Sequence, residues 1–166
     1  MSDTPTHDEQ VRKIAELIQD AQFSTLTTVD PDGGLWSRPM AIQTDGFAGT
    51  LHYFTKADSE KIDHIAHNPN VAVAFSDPSA QNYVMMAGRA SVHNDRATIR
   101  ELWSEPMRTW FPEGADDPDL RLLRVDVDRA EYWDTPSSVV VHAFGYVKAV
   151  LTGEPAKPGD HAKVDL

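Results

Sequence analysis

Several residue types and patterns are missing from this chain, and each absence excludes a class of protein. It has no cysteine, which excludes disulfides, thiolate catalysis and cysteine-ligated metals. No apolar run approaches the roughly 20 residues of a membrane span. The first ten residues have neither a basic start nor an apolar stretch, so they do not form a signal peptide. We therefore expect a cytoplasmic protein without a membrane partner.

Positive charge is also scarce. The 166 residues contain 15 Lys and Arg against 26 Asp and Glu, which gives a formal net charge of −11. Such a chain repels the phosphates of nucleic acids and anionic membranes, so neither is expected as a main partner. An anionic small ligand would then need a local basic site, which Arg38, Lys56 and Lys61 could form.

The nucleotide-binding signatures Gly-x-Gly-x-x-Gly and Gly-x-x-x-x-Gly-Lys are missing too, which disfavours dinucleotide-binding and P-loop folds. Short alternating segments separated by tight turns favour antiparallel strands, because two to five residues cannot connect parallel neighbours. We predict a mostly β fold, an antiparallel six-stranded split barrel with flanking helices. The predicted strands are 23–29, 35–43, 50–55, 71–75, 82–93 and 121–133, and the predicted helices are 8–21, 59–67 and one capped by Asn94 or Asp95.

One domain is expected over residues 8–150, since the length suits a single core. Residues 1–7 are expected to be flexible. Residues 138–150 could form a further strand or a short helix. The polar, Pro- and Gly-rich residues 151–166 are predicted to be a disordered tail.

Residues 38–61 carry the clearest chemical signal. Arg38 lies in an alternating segment whose predicted face also holds Trp36, Met40 and Ile42. A guanidinium on an apolar face needs an anionic or hydrogen-bonding partner. Ser59 and Lys61 stand where a helix begins, and the free N–H groups of a helix start favour phosphate. Together these features predict a phosphate-bearing ligand.

Each of these residues also has an ordinary structural explanation. Arg38 could form an ion pair across the sheet, Ser59 could be only a helix N-cap, and Lys61 could be solvated. Trp110 and Phe111 lie in an irregular acidic segment, where large aromatics are expected to cover a pocket or an interface. The seven histidines show no metal-binding spacing and are interpreted as neutral surface residues.

Five motifs in this order resemble the FMN-binding split barrels related to pyridoxamine 5′-phosphate oxidase, and in particular their general stress protein 26 branch. The motifs are Arg38-Pro-Met-Ala, Tyr53-Phe-Thr-Lys-Ala-Asp-Ser-Glu-Lys61, Asn68-Pro-Asn-Val-Ala-Val, Trp110-Phe-Pro-Glu-Gly and Ala130-Glu-Tyr-Trp-Asp134. The resemblance implies a homodimer with flavin in two equivalent clefts at the subunit interface.

Carried over motif by motif, the resemblance implies a cofactor site for FMN, or for FAD. Arg38, Ser59 and Lys61 would contact the phosphate. The backbone of Pro39, Met40 and Ala41 would lie along the flavin ring, with Phe54 and Thr55 beside it. The second subunit would complete the cleft with Gln81 or Tyr83 and with the aromatic residues Trp103, Trp110 and Trp133.

Two departures from the oxidase pattern bear on activity. Glu60 stands in the middle of a phosphate motif that is commonly Ser-Arg-Lys, and Gln43 stands where oxidases carry a lysine for the substrate phosphate. Both argue against oxidation of vitamin B6 phosphates while leaving flavin binding in place. We therefore expect a flavin-dependent oxidoreductase with a small-molecule electron donor and acceptor and no identified catalytic residue. The alternatives are a non-catalytic flavin-binding stress protein and a deazaflavin-dependent reductase.

Overall fold

The computed structural model describes residues 6–44, 46–134, 150 and 160–166. Within these residues, three α-helices (α1 His7–Ile18, α2 Glu60–His67, α3 Arg96–Leu102) accompany seven strands. The strands are β1 Phe23–Val29, β2 Leu35–Ala41, β3 Thr50–Lys56, β4 Asn70–Asp77, β5 Asn82–His93, β6 Leu120–Asp134 and β7 Asp160–Asp165. None of the described helices has both the length and the apolar character needed to cross a membrane.

All strand pairs are antiparallel, in the order β2-β1-β4-β5-β6-β3, with β7 paired to the far end of β6. The two outer strands, β2 and β3, meet through the bridge Ile42–Tyr53 and the bond from the Gln43 N–H to the His52 carbonyl, 2.9 Å. Since this is the one bridge that joins them among the described residues, the barrel is closed at one point and open beyond it. The predicted antiparallel split barrel with flanking helices is confirmed.

The predicted disordered tail is wrong for residues 160–166. β7 pairs with β6 from Arg129–Asp165 to Asp134–Asp160, and Val164 is buried in the core with 1% exposure. One buried valine among charged neighbours gives too weak an apolar pattern to predict a strand. Pairing with β6 supplies most of the stability of β7, and that pairing cannot be predicted from residues 160–166 alone. Residues 138–149 and 151–159 lie outside the described part.

Two hydrophobic clusters divide the interior. The larger fills the barrel and is covered by α1, whose Ile14 and Ile18 are buried. α1 begins at its cap Thr6, which forms a capping box with Glu9, so helical structure starts within the segment expected to be flexible. The smaller cluster lies outside the barrel against β3 and contains Phe54, Ile99, Met107, Phe111, Leu120 and Leu122.

The irregular segment after α3 forms two 3₁₀ turns, Glu105–Thr109 and Gly114–Asp116. Arg96 holds this segment by donating to the carbonyls of Asp117 at 2.8 Å and Leu120 at 2.9 Å. Burial of Met107 and Phe111 then fixes the first turn against the smaller cluster. The segment therefore stands beside the ends of β2 and β3, where the cavity described below lies.

Candidate functional site

A cavity of about 650 Å³ lies where β2, β3, the start of α2 and the first 3₁₀ turn meet. Its walls are largely apolar and one end is polar. The apolar walls come from Phe23, Pro39, Met40, Ala41, Phe54, Met107, Trp110 and Phe111. The polar end comes from Thr55, Lys56, Asp58, Ser59 and Lys61, and Thr109 of the first 3₁₀ turn adds a further polar group to the lining. This size and this uneven polarity are typical of sites for small organic ligands.

The cavity brings together most of the site residues named from the sequence. They come from separate parts of the chain: Pro39, Met40 and Ala41 from β2, Phe54 and Thr55 from β3, Ser59 and Lys61 from the start of α2, and Trp110 after the 3₁₀ turn. The fold thus places the Arg38-Pro-Met-Ala and Ser-Glu-Lys motifs on neighbouring sides of one space.

Arg38 does not line this cavity, but its positive charge acts on Lys61, which does. Its Nη1 donates to Thr28 Oγ1 at 2.7 Å and more weakly to the Leu26 carbonyl at 3.4 Å. Burial lowers the pKa of Arg38, and the charge of Glu60 opposes that shift. No ion pair joins Arg38 to a carboxylate among the described residues. The described residues therefore do not supply the structural ion pair considered above.

Lys61 is half-buried and is held by hydroxyl groups. Its Nζ donates to Thr55 Oγ1 at 3.2 Å and to Ser59 Oγ. Burial, followed by the positive charge of Arg38, lowers the pKa of Lys61, while Glu60 acts in the opposite direction. The two cations are thus near enough to repel each other, and within the described chain neither has an anionic partner.

Ser59 occupies the N-cap position of α2 but does not act as a cap. Its side chain accepts no hydrogen bond from the helix N–H groups and instead accepts one from Lys61. The N-cap interpretation is therefore correct for the backbone and wrong for the hydroxyl. As a result, no side-chain cap covers the first N–H groups of α2 at the cationic end of the cavity.

The aromatic residues of the site differ in exposure. Trp110 is 48% exposed at the cavity, whereas Phe111 is buried and packs edge-to-face on Phe54 with ring centroids 6.4 Å apart. Trp103 stacks on Phe54 with ring centroids 6.0 Å apart and packs against the smaller cluster. Trp110 and Phe111 therefore border a pocket, as we predicted from the presence of two large aromatics in an irregular acidic segment.

Gln81 and Trp133 do not line the cavity of the same chain. Gln81 lies in the turn before β5 with φ +56°. Trp133, near the end of β6, stacks on His161 of β7 with centroids 5.1 Å apart. Both were expected to reach a cleft from a second subunit, so their role there stays a prediction.

A buried hydrogen-bond network next to Arg38 was not predicted from the sequence. Thr28 and His64 are both buried, and Thr28 Oγ1 lies 2.9 Å from His64 Nδ1. The surface interpretation of the histidines is thus wrong for His64, which faces β1 from the inner side of α2. The β1–β2 hairpin register could have identified Thr28, since Leu26 opposes Arg38 and Thr28 follows two residues later on the same face.

Comparison with known proteins gives a consistent result. Residues 9–157 match the family model described as pyridoxamine 5′-phosphate oxidase like. General stress protein 26 of Bacillus subtilis is 29% identical over 118 residues, covering 69% of this chain and 81% of that protein.

Solved structures agree with this match. The general stress FMN/FAD binding protein from Xanthomonas citri superposes with a TM-score of 0.69 at 29% identity, covering 80% of this chain and 93% of the other. A protein of Jannaschia sp. CCS1 superposes with a TM-score of 0.77 over 96% of this chain and 99% of its own, and at 24% identity it shows the shared fold.

Proposed function

This chain belongs to the pyridoxamine 5′-phosphate oxidase-like family, and we propose that it is an FMN-binding flavoprotein that acts as an oxidoreductase. One observation carries the proposal. Two half-buried cations lie close enough to repel each other, Lys61 at the polar end of an apolar cavity and Arg38 beside it, and neither forms an ion pair with a carboxylate among the described residues. Unpaired buried charge is costly, so an anionic ligand group at this end would stabilise the site.

The donor set fits a phosphate. Only Nη1 of Arg38 is used within the described chain, so its Nε and Nη2 groups are available for a planar, two-point contact with phosphate oxygens. Lys61 and Ser59 stand at the start of α2, where helix N–H groups also favour an anion. These groups would hold and orient the phosphate of FMN.

The rest of the cavity fits a flat ring. Met40, Phe54, Met107 and Phe111 give apolar walls, which favour an aromatic ring system and exclude water from it. A bound flavin would supply the electron-carrying chemistry. The protein residues would supply binding, orientation and a low-polarity environment.

Gln43 supports a substrate other than pyridoxamine phosphate. Its amide Nε2 donates to Met107 Sδ at 3.2 Å and to the Ala41 carbonyl at 3.4 Å. Gln43 therefore braces the cavity wall and adds no positive charge for a second phosphate. The likeness to the Xanthomonas citri FMN/FAD binding protein supports flavin binding without indicating a substrate.

A second copy of the chain would complete the cleft. Phe23 is 51% and Trp110 48% exposed, and both border the cavity. Exposed aromatics at a cavity mouth are a feature of protein–protein contacts. In a homodimer, they and residues such as Gln81 and Trp133 would enclose the cofactor between two chains.

A flavin titration tests the proposal. Purified protein is titrated with FMN, FAD, riboflavin and a deazaflavin while flavin fluorescence is followed, and its mass is measured by sedimentation. We expect FMN to bind more tightly than riboflavin, and we expect a dimer. Arg38→Ala and Lys61→Ala should each weaken FMN binding at least about tenfold without changing riboflavin binding. Lys163→Ala, which removes an exposed lysine of β7, is the control.

Turnover is tested separately. The FMN-loaded protein is mixed with NADH or NADPH and then with oxygen or quinone acceptors in a stopped-flow instrument. Reduction and reoxidation at rates above those of free FMN would support an oxidoreductase. If bound flavin is reduced by neither donor, the protein is a flavin-binding protein and the oxidoreductase part of the proposal fails.

A further inference from the structure

A chain of three side chains links the two halves of the cationic site. Thr28, on β1, is fully buried and its hydroxyl contacts both Arg38 Nη1 at 2.7 Å and His64 Nδ1 at 2.9 Å. Arg38 belongs to β2, whereas His64 belongs to α2, one helical turn after Lys61. The network therefore connects the strand that carries one cation to the helix that carries the other.

The direction of each hydrogen bond follows from the chemistry of the groups. A guanidinium can only donate, so Thr28 Oγ1 accepts from Arg38. The hydroxyl hydrogen of Thr28 is then available for the second contact, and His64 Nδ1 accepts it when the imidazole carries its proton on Nε2. In that arrangement the Thr28 oxygen directs a lone pair toward Arg38.

We propose that His64 is a positioning residue for phosphate binding: it fixes the Thr28 hydroxyl, and through it the guanidinium of Arg38, toward the ligand phosphate. This inference rests on the proposed function. Without an acceptor at Nδ1, the Thr28 hydroxyl hydrogen has no partner that fixes its direction, and the bond that its oxygen accepts from Arg38 is less well aligned. Arg38 would then depend more on its long 3.4 Å bond to the Leu26 carbonyl.

The same contact also sets the separation of the two cations. His64 is buried with 8% exposure, so it holds α2 against β1. Because Lys61 and His64 lie on the same face of that helix, a shift of His64 would move Lys61 relative to Arg38. A phosphate contacted from two sides is sensitive to such a shift, since charge-assisted bonds need close and aligned donors.

The test separates positioning from simple packing. His64→Leu keeps an apolar side chain in the buried space but removes the acceptor, and Thr28→Val keeps the shape but removes the hydroxyl. Both should weaken FMN binding about tenfold and leave riboflavin binding unchanged. His64→Asn, whose side-chain oxygen can take the place of Nδ1, should restore most of the loss. His52→Leu, at a half-buried histidine on β3, should change neither affinity.

A double-mutant cycle shows whether His64 acts through Arg38. If it does, Arg38→Ala combined with His64→Leu should lose less FMN affinity than the sum of the two single losses. Equal losses of FMN and riboflavin, or additive losses in the double variant, would overturn the proposal. If His64→Leu does not fold, the FMN affinities of Thr28→Val and Thr28→Ser are compared, since only Thr28→Ser keeps the hydroxyl. A loss confined to Thr28→Val supports the proposal, and equal affinities overturn it. A wild-type protein that binds FMN no better than riboflavin would instead refute the proposed function.

Discussion

Gly88 of β5 lies directly against the backbone of Asp126 in β6. A Cβ atom on Gly88 would be 2.1 Å from the Asp126 carbonyl oxygen and 2.9 Å from the Val127 Cα. The pairing of β5 with β6 shifts register at this point, between Ala87 and Gly88. Only a residue without a side chain allows the two longest strands to approach this closely at the irregularity.

Gly88→Ala should therefore destabilise the barrel by about 3 kcal/mol or more, because the contact involves backbone atoms that cannot move aside. Gly49→Ala is the comparison: Gly49 has φ +97° with nothing near its missing side chain, so it should cost only about 1 kcal/mol of backbone strain. Urea unfolding of the two variants measures both values. Equal losses would show that the close approach to Asp126 is not what restricts position 88.

Glu60 weakens the cationic site. It is exposed on the first turn of α2, and its negative charge opposes the lowering of the pKa that burial causes at Arg38 and Lys61. Glu60→Gln should consequently strengthen FMN binding a few-fold, and added salt should reduce the gain, since exposed charges are screened. Riboflavin binding should not change.

Asp63→Asn is the matched control, because Asp63 is also exposed and lies one turn later on the same helix. FMN titrations of the wild type and both variants at low and high salt give the six affinities needed. An unchanged FMN affinity in Glu60→Gln would mean that the carboxylate does not act on the phosphate. The negative charge of Glu60 in the Ser59-Glu60-Lys61 motif would then have no effect on FMN binding.

As pH rises, FMN binding should weaken at a lower pH than the deprotonation of an ordinary lysine would produce. Burial and the charge of Arg38 lower the pKa of Lys61. The ammonium form binds phosphate, so affinity is high below that lowered pKa and falls as pH rises through it. Because the phosphate of FMN needs its second charge, affinity should also fall below about pH 6.

Lys61→Arg identifies the group responsible for the alkaline fall. A guanidinium stays protonated over the whole range, so this variant should keep its affinity where the wild type loses it. Riboflavin has the flavin ring but no phosphate, so its titration at each pH measures how pH affects binding of the ring alone. An alkaline fall that persists in Lys61→Arg would assign it to another group.

Local patterns were sufficient to predict most of this fold. β5 has the predicted bounds 82–93, and Asp95 caps α3 through bonds to the N–H groups of Ala97 and Thr98. α1 ends at Ile18, three residues earlier than predicted, because Ala21 is already in the connection to β1. Periodicity and caps are encoded within a few residues, so they can be read without tertiary information.

The site was predictable only where its residues belong to recognisable motifs. Ser59 and Lys61 stand in one short motif, and the cavity contains both. His64 is three residues further along, but its role depends on a 2.9 Å contact with Thr28, which is 36 positions away. A single histidine in a helix carries no local sign of such a contact, so the sequence favoured a surface position for it.

The C-terminal strand gives a final prediction. Val164 is 1% exposed within the larger cluster, and β7 covers the edge of β6 from Arg129 to Asp134. A chain ending at residue 159 would expose that edge and remove the buried valine. We expect a loss of about 2–4 kcal/mol in the free energy of unfolding and a tendency to associate through the open edge.

Val164→Ala, which keeps the strand, should lose less stability than the truncation and should not associate. Urea unfolding with light scattering measures both, and a truncated chain as stable as the full one would show that β7 adds nothing to the barrel.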